Sequence, residues 1–245
     1  MQPPRIVKRV SEHVMSELRK GVIRIGSIHY YRSIEDANRK DSLEGLPPIS
    51  LATKGGNRII NHEQFNKLSS YSGQGFKLQD GWSFELKQGA SLKFEHMANI
   101  FVFCVSIDEG EQSDLSHKFG THIYEITNID MFANMITDEL MKIISDKNLI
   151  IDDGGYDSVR WSMRPIKYKE KSEIDSDLLK QLQTPREFDM QQVFTKDFSF
   201  KEEKELRFVW FPQCSTEDRF FTLPANFTFV DLYLPNLWNS IREIT

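Results

Sequence analysis

The chain has little cysteine. Cys104 and Cys214 are the two in 245 residues, and Cys104 lies inside the apolar run Ile100 to Val105, the setting of a small buried thiol. Such usage fits a reducing compartment, and the cytoplasm is the expected location. There is no apolar segment at the N-terminus and no run of about eighteen apolar residues, so neither export nor membrane spanning is expected. Bulk positive charge is missing as well. A formal charge of -5 and a pI near 5.7 exclude generic nucleic-acid binding through overall charge and leave only local basic patches.

Metal and dinucleotide signatures are also absent. The six histidines (His13, His29, His62, His96, His117, His122) are scattered, and none pairs with the helical spacing of a zinc hydrolase. Asp41, Glu44, Asp152 and Asp153 offer oxygen ligands for a divalent cation in a nuclease-like reaction, but their spacing specifies nothing, and no metal site is expected. Gly73-Gln74-Gly75 follows no strong strand and opens no helix, which removes a Rossmann reading. The sequence has no internal repeat and no clean domain boundary.

What is present is apolar and aromatic. With 39% hydrophobic and 12% aromatic residues, the chain can bury a large core. Ser11 is placed to cap a short helix from Glu12 to Lys20, with Gly21 as its stop. Val22 to His29 then alternates with period two. The stretch 46–90 is rich in Pro and Gly and reads as loop with short strands. A buried strand is expected at about 100–106 and an alternating one at 121–126. Asp130 is placed to cap a helix with Phe132, Met135, Ile136, Leu140, Ile143 and Ile144 on one face. Further strands are expected at 149–152, 157–168, 205–211, 219–223 and 227–234, with helical material near 175–193. These elements do not repeat as βαβ units. The expectation is a single α+β domain over 1–245, with a mixed, mostly antiparallel sheet, few helices and a loop-rich insertion at about 46–90.

Two charged constellations stand out. Tyr30-Tyr31-Arg32 opens a polar segment that continues through Glu35, Arg39, Asp41 and Glu44 to Gly45, directly after the alternating strand. Charge runs are usually solvated faces, but strand ends are where sites gather. Later, Phe198 to Phe211 runs from a charged turn into an apolar strand. If strand geometry begins at Glu203, then Glu203, Glu205 and Arg207 share one face, and Leu206, Phe208 and Trp210 the other. A carboxylate beside an arginine stays ionised, and two carboxylates so spaced can divide the work of orienting a hydroxyl and stabilising positive charge. The plainer reading is an edge strand defended by charges. Arg160, Ser162 and Arg164 would likewise share a basic face opposite Val159, Trp161 and Met163, either a phosphate contact or a solvated strand face.

Taken together, the helix-then-strand opening, Tyr31, Arg32, Glu35, Arg39, Asp41, Glu44, Phe103-Cys104-Val105-Ser106, Phe194-Thr195-Lys196 and Glu203-x-Glu205-x-Arg207 resemble a large family of bacterial and phage proteins. That family is described as a domain of unknown function found near defence genes. The layout is also similar to the ADP-ribosyltransferase superfamily, in which a late strand carries a catalytic Glu within Glu-x-Glu.

The resemblance implies that Glu205 holds the nicotinamide-ribose hydroxyl of NAD, with Glu203 aligning the acceptor. It implies that Arg9, or Lys8 beside it, meets the pyrophosphate and that Tyr30 or Tyr31 stacks on the nicotinamide. Glu205, Glu203 and Tyr31 are thus the expected catalytic residues, and Arg9, Tyr30, Arg32, Arg39 and Arg207 the expected cofactor contacts. The implied protein is a cytoplasmic toxin or effector of anti-phage defence, acting on a protein or nucleic-acid acceptor and possessing a partner protein of its defence system. The sequence has no His-x-Thr or Ser-Thr-Ser element, and Arg32, Glu35, Asp41 and Glu44 have no part in the usual transferase triad. The competing expectation is a non-catalytic nucleotide-sensing or protein-interaction module, in which the same charges form a salt-bridge network or ligand pocket.

Overall fold

A computed structural model of the chain describes residues 5–33, 49–52, 56–71, 77–94, 99–108, 119–147, 149, 158–169, 190, 193–213, 223–224 and 226–244. Glu35, Arg39, Asp41, Glu44, His96, His117, Asp152, Asp153 and Cys214 lie outside the described residues. The strands expected near 149–152 and 219–223 and the helical stretch near 175–193 fall almost wholly outside them as well.

β1 (Arg5–Val10) leads into α1 (Glu12–Arg19), whose cap Ser11 accepts the Val14 N–H at 3.4 Å. The helix buries Met15 and Leu18 and stops at Gly21. There φ is +81°, and a Cβ would lie 2.8 Å from the Leu234 carbonyl oxygen, so only glycine fits. β2 (Val22–Ser27) follows, but its alternation ends two residues sooner than expected. The Ser27 hydroxyl accepts the Tyr30 N–H at 3.1 Å and turns the chain into α2 (Ile28–Ser33), so His29, Tyr30 and Tyr31 are helical.

The proline- and glycine-rich stretch contains β3 (Ile49–Ala52), β4 (Arg58–Asn61), α3 (His62–Tyr71), β5 (Ser83–Leu86) and β6 (Ser91–Phe94). β3 pairs β6 and β4 pairs β5, both antiparallel. Asn61 and Gln64 exchange side chain-to-backbone hydrogen bonds at 2.9 and 3.4 Å, a capping box that starts α3.

The remaining elements are β7 (Phe101–Asp108), β8 (His122–Ile126), α4 (Ile129–Lys147), β9 (Ser158–Pro165), β10 (Lys167–Lys169), β11 (Thr195–Asp197), β12 (Glu205–Gln213), β13 (Phe229–Tyr233) and β14 (Ile241–Ile244). α4 is capped by Asn128, whose side chain accepts the Met131 N–H at 3.0 Å, rather than by Asp130, which lies within the first turn. Eight strands form one sheet in which every described ladder is antiparallel, and β10–β11 is a separate parallel pair. The fold is α+β, mostly antiparallel with few helices.

β7 is the centre of this sheet. One of its edges pairs β12 from Phe101 to Ser106. Its other edge is shared: β2 takes Phe101 and Val102, and β1 takes Ser106 to Asp108. Phe103, Cys104 and Val105 therefore stand between two diverging strands, at a fork in the sheet. β2 continues to β13, and β1 continues to β8 and β14.

β12 lies between β7 and β9 with all nine residues buried, so it is an internal strand and not a charged edge. Its alternation separates two apolar clusters. Leu206, Phe208 and Trp210 join Phe103, Val105, α1 and α4 on one face, while Val209 and Phe211 join Val102, Val193 and Phe194 on the other. The first cluster is aromatic, with Phe132 5.5 Å from Phe208 and 5.6 Å from Phe103, and the Trp210 indole N–H donating to the Thr137 hydroxyl and the Ala133 carbonyl. Each such side chain, fully buried, contributes about 1.5–3 kcal/mol by leaving water.

Candidate functional site in the fork of the sheet

A cavity of about 850 Å³ occupies the fork, walled by β1, β2, α1 and the Phe103–Asp108 part of β7. Tyr30 and Tyr31 of α2 form one side. They are there because residue 26 is glycine: a Cβ would come within 2.9 Å of both rings. The two rings meet edge to face at 5.5 Å, and Tyr30 meets Phe229 in the same way at 5.4 Å. Arg24 caps that aromatic wall, 3.8 Å from the Phe229 centroid and doubly bonded to Asp231 at 2.7 and 2.9 Å. Asp231 first, and then a hydrogen bond with Tyr30, raise the pKa of the Arg24 guanidinium.

Arg9 of β1 also lines the cavity. Its half-buried guanidinium makes no hydrogen bond or ion pair among the described residues. The other basic side chains of the wall are engaged, Arg5 with Asp108 and Lys8 with the Cys104 carbonyl.

The far side carries the late constellation. Glu203 ends a 3₁₀ turn (Phe198–Glu203), and Lys204 takes a left-handed φ of 43° before β12 begins at Glu205. Strand alternation thus starts two residues later than expected. Glu203 and Glu205 come together through a third residue instead, since the Lys196 ammonium donates to Oε2 of Glu203 at 2.8 Å and to Oε2 of Glu205 at 3.0 Å. Arg207 grips the other oxygen, with Nε and Nη2 at 2.8 and 2.7 Å from Oε1 of Glu205, and donates Nη1–H to the Val193 carbonyl. All four charged groups are buried, with side chains at most 8% exposed. Among the described residues the cluster holds two carboxylates and two cations.

Burial alone would push the Glu205 carboxyl up. Arg207, then Lys196, and hydrogen bonds from Cys104 and Lys196 outweigh it and hold the group down at about 2. The Tyr168 hydroxyl accepts the Glu205 N–H at 2.8 Å, and burial pushes that phenol up to about 12.

Of the residues expected from sequence, Arg9, Tyr30, Tyr31, Glu203 and Glu205 all border this one cavity. Arg207 does not; it is fully buried behind Glu205, where its role is to hold that carboxylate. Arg32 lies in α2, with its side chain outside the described residues, and Arg39 is outside them entirely. Sequence reasoning assigned no role to Lys196 or Tyr168. The signal for Lys196 was a lysine separated only by Thr195 from the apolar Val193-Phe194. Among the described residues, no group of His, Cys, Asp and Glu is placed to hold a metal ion, and no helix is long and apolar enough to cross a membrane. No protein-family model, curated protein or solved structure matches this chain.

Proposed function

We propose that this chain is an ADP-ribosyltransferase-like enzyme that uses NAD as its substrate. In this reading it works as a cytoplasmic toxin or effector of anti-phage defence, together with a partner protein of that system, and modifies protein or nucleic acid. One observation carries the reading: an early cation and aromatic pair (Arg9, Tyr30, Tyr31) and a late carboxylate pair (Glu203, Glu205), some 170 residues apart in sequence, border a single cavity. Its 850 Å³ falls within the range of roughly 300–1,000 Å³ typical of small-molecule sites.

The residues present fit the group. Arg9 brings an uncommitted guanidinium for a pyrophosphate, and the tyrosine rings bring faces for a flat heterocycle. Glu205 brings a carboxylate kept ionised at neutral pH, able to accept a ribose hydroxyl. NAD supplies a glycosidic bond whose leaving group is cationic and departs as neutral nicotinamide with the bonding electron pair. Glu203 then stands two residues from Glu205 to orient the acceptor and take its proton.

A second reading is favoured by the ion pairing of both Glu205 oxygens, to Arg207 and to Lys196. A carboxylate paired at both oxygens also suits a non-catalytic module that senses a nucleotide or binds a protein. Incubating wild type and Glu205→Gln with labelled NAD, with and without cell lysate, separates the two. Nicotinamide release or label transfer that disappears in the variant supports the transferase reading. Absence of turnover in wild type, with Glu205→Gln merely less stable, supports the binding module.

A further inference from the structure

We infer that the cavity has a second subsite beneath α1, where the Tyr124 hydroxyl donates to an uncharged ring nitrogen of a flat, adenine-like heterocycle. The choice of adenine rests on the proposed reading; the subsite itself rests on an unused hydroxyl.

Tyr124 is the middle residue of β8 and only 1% exposed. It lines the cavity together with Val10, Leu18, Ile23 and Phe103, all members of the apolar cluster that α1 covers. Its hydroxyl makes no hydrogen bond among the described residues. The oxygen is not sealed off either, so the little exposure that Tyr124 keeps is toward the cavity it lines. Buried tyrosine hydroxyls ordinarily find a partner. One left unused against open space is a donor waiting for a ligand atom.

Its neighbours in register are committed elsewhere. Tyr124 stands between Lys8 of β1 and Glu243 of β14. The Lys8 ammonium donates to the Cys104 carbonyl, and the Glu243 carboxylate accepts from Arg19 at 2.6 and 3.3 Å. Burial pushes the phenol up, so it remains protonated at neutral pH and has its O–H to give.

The walls decide the class of ligand. Aliphatic side chains and the Phe103 ring would strip a charged group of water at high cost, whereas a flat ring buries apolar area against them and offers one acceptor to the phenol. Alternation places Arg9 on the opposite face of β1 from Lys8, the residue opposite Tyr124. The cavity thus holds a cation on one face of β1 and an uncharged donor among apolar walls on the other, which suits an occupant with an anionic part and an aromatic part. In the proposed reading Tyr30 or Tyr31 takes the nicotinamide of NAD, which leaves the adenine, whose ring nitrogens are uncharged acceptors, for this subsite.

The test is calorimetric titration of adenosine, nicotinamide and NAD into wild type and Tyr124→Phe, with thermal melting of both proteins in the absence of ligand. The variant should melt at the wild-type temperature or above, because the fold loses no hydrogen bond with the oxygen. Adenosine should bind the variant about ten-fold or more weakly than it binds wild type, while any binding of nicotinamide is unchanged. A variant that fails to fold, or melts lower, overturns the inference, since the hydroxyl then serves the fold. Equal adenosine affinity in the two proteins, or no adenosine binding by wild type, overturns it as well. Adenosine held through Tyr124 by a protein that never turns over NAD rejects the transferase reading and leaves the subsite standing. Turnover of NAD with a KM that Tyr124→Phe does not change has the opposite meaning.

Discussion

The ammonium of Lys8 donates to the backbone carbonyl of Cys104, and it lies 4.4 Å from the centroid of the Phe103 ring. This contact occurs where β1 and β2 part from β7, so a side chain supplies the donor that a continuous sheet would have supplied from a neighbouring strand. An interior carbonyl left without a donor costs about 1–3 kcal/mol, so the fork is sustained by what fills it.

Lys8→Met keeps the stem that covers Phe103 and removes the donor. Stability should fall by about 1–3 kcal/mol in urea unfolding. Lys8→Arg should recover most of that loss, because a donor again reaches the fork; no recovery would mean that the Cys104 carbonyl does not need it.

Gly26→Ala should destabilise by about 1–3 kcal/mol, because the new methyl collides with two rings packed against it. It should also change the near-ultraviolet circular dichroism of the tyrosines. Gly56→Ala is the control, since nothing lies within 4 Å of a Cβ there and the substitution should be close to neutral.

Acid should weaken the fold through Glu205. Its carboxyl titrates at about 2 when folded, against the ordinary 4.5, so the unfolded chain takes up the proton first as pH falls. The stability conferred is complete above the ordinary carboxylate range and drains away between about pH 4.5 and 2, a total on the order of 3 kcal/mol. Urea unfolding from pH 7 to 3 measures it. Glu205→Gln should be less stable at neutral pH and show a flatter acid limb.

Arg207→Met leaves Glu205 with one cation and the Val193 carbonyl without its guanidinium donor, and should cost about 3–5 kcal/mol. Arg207→Lys should restore only part, because an ammonium cannot engage Oε1 and the Val193 carbonyl with the planar fork of a guanidinium. Arg207→Met/Glu205→Gln should be milder than Arg207→Met if the buried carboxylate causes the loss, and calorimetry of the three variants decides it.

Much of the secondary structure was legible because its signals are local. Ser11 and Gly21 bracket α1, and Phe132, Ile136, Leu140 and Ile144 recur on one face of α4. Leu206, Phe208 and Trp210 alternate against Arg207, Val209 and Phe211 in β12 as the residue types require. β1 and β14 were not anticipated. Arg5–Val10 is half basic, and Ile241–Ile244 is too short for an alternation to register. Asn61 with Gln64 was a readable capping signal that was passed over, and Asn128 displaced Asp130 as the cap of α4 because its side chain is the one that reaches the third helical N–H.

The residue types and their period by themselves determined an α+β chain with an apolar core, with carboxylates at 203 and 205 leading into a strand that has an arginine on one face and aromatics on the other. They could not tell whether that strand was an edge or the interior, since a charged face suits an edge in water and equally a buried strand whose charges are paired. That was decided by β7 and β9 closing on either side of β12, by β11 carrying Lys196 to the two carboxylates, and by β1 and β2 sharing one edge of β7 only at its two ends, which opens the cavity between them. Period two is set by each residue's own backbone. Which edge a strand meets, and which distant cation balances a buried carboxylate, is set by contacts between residues far apart in the chain, and these form only when the sheet does.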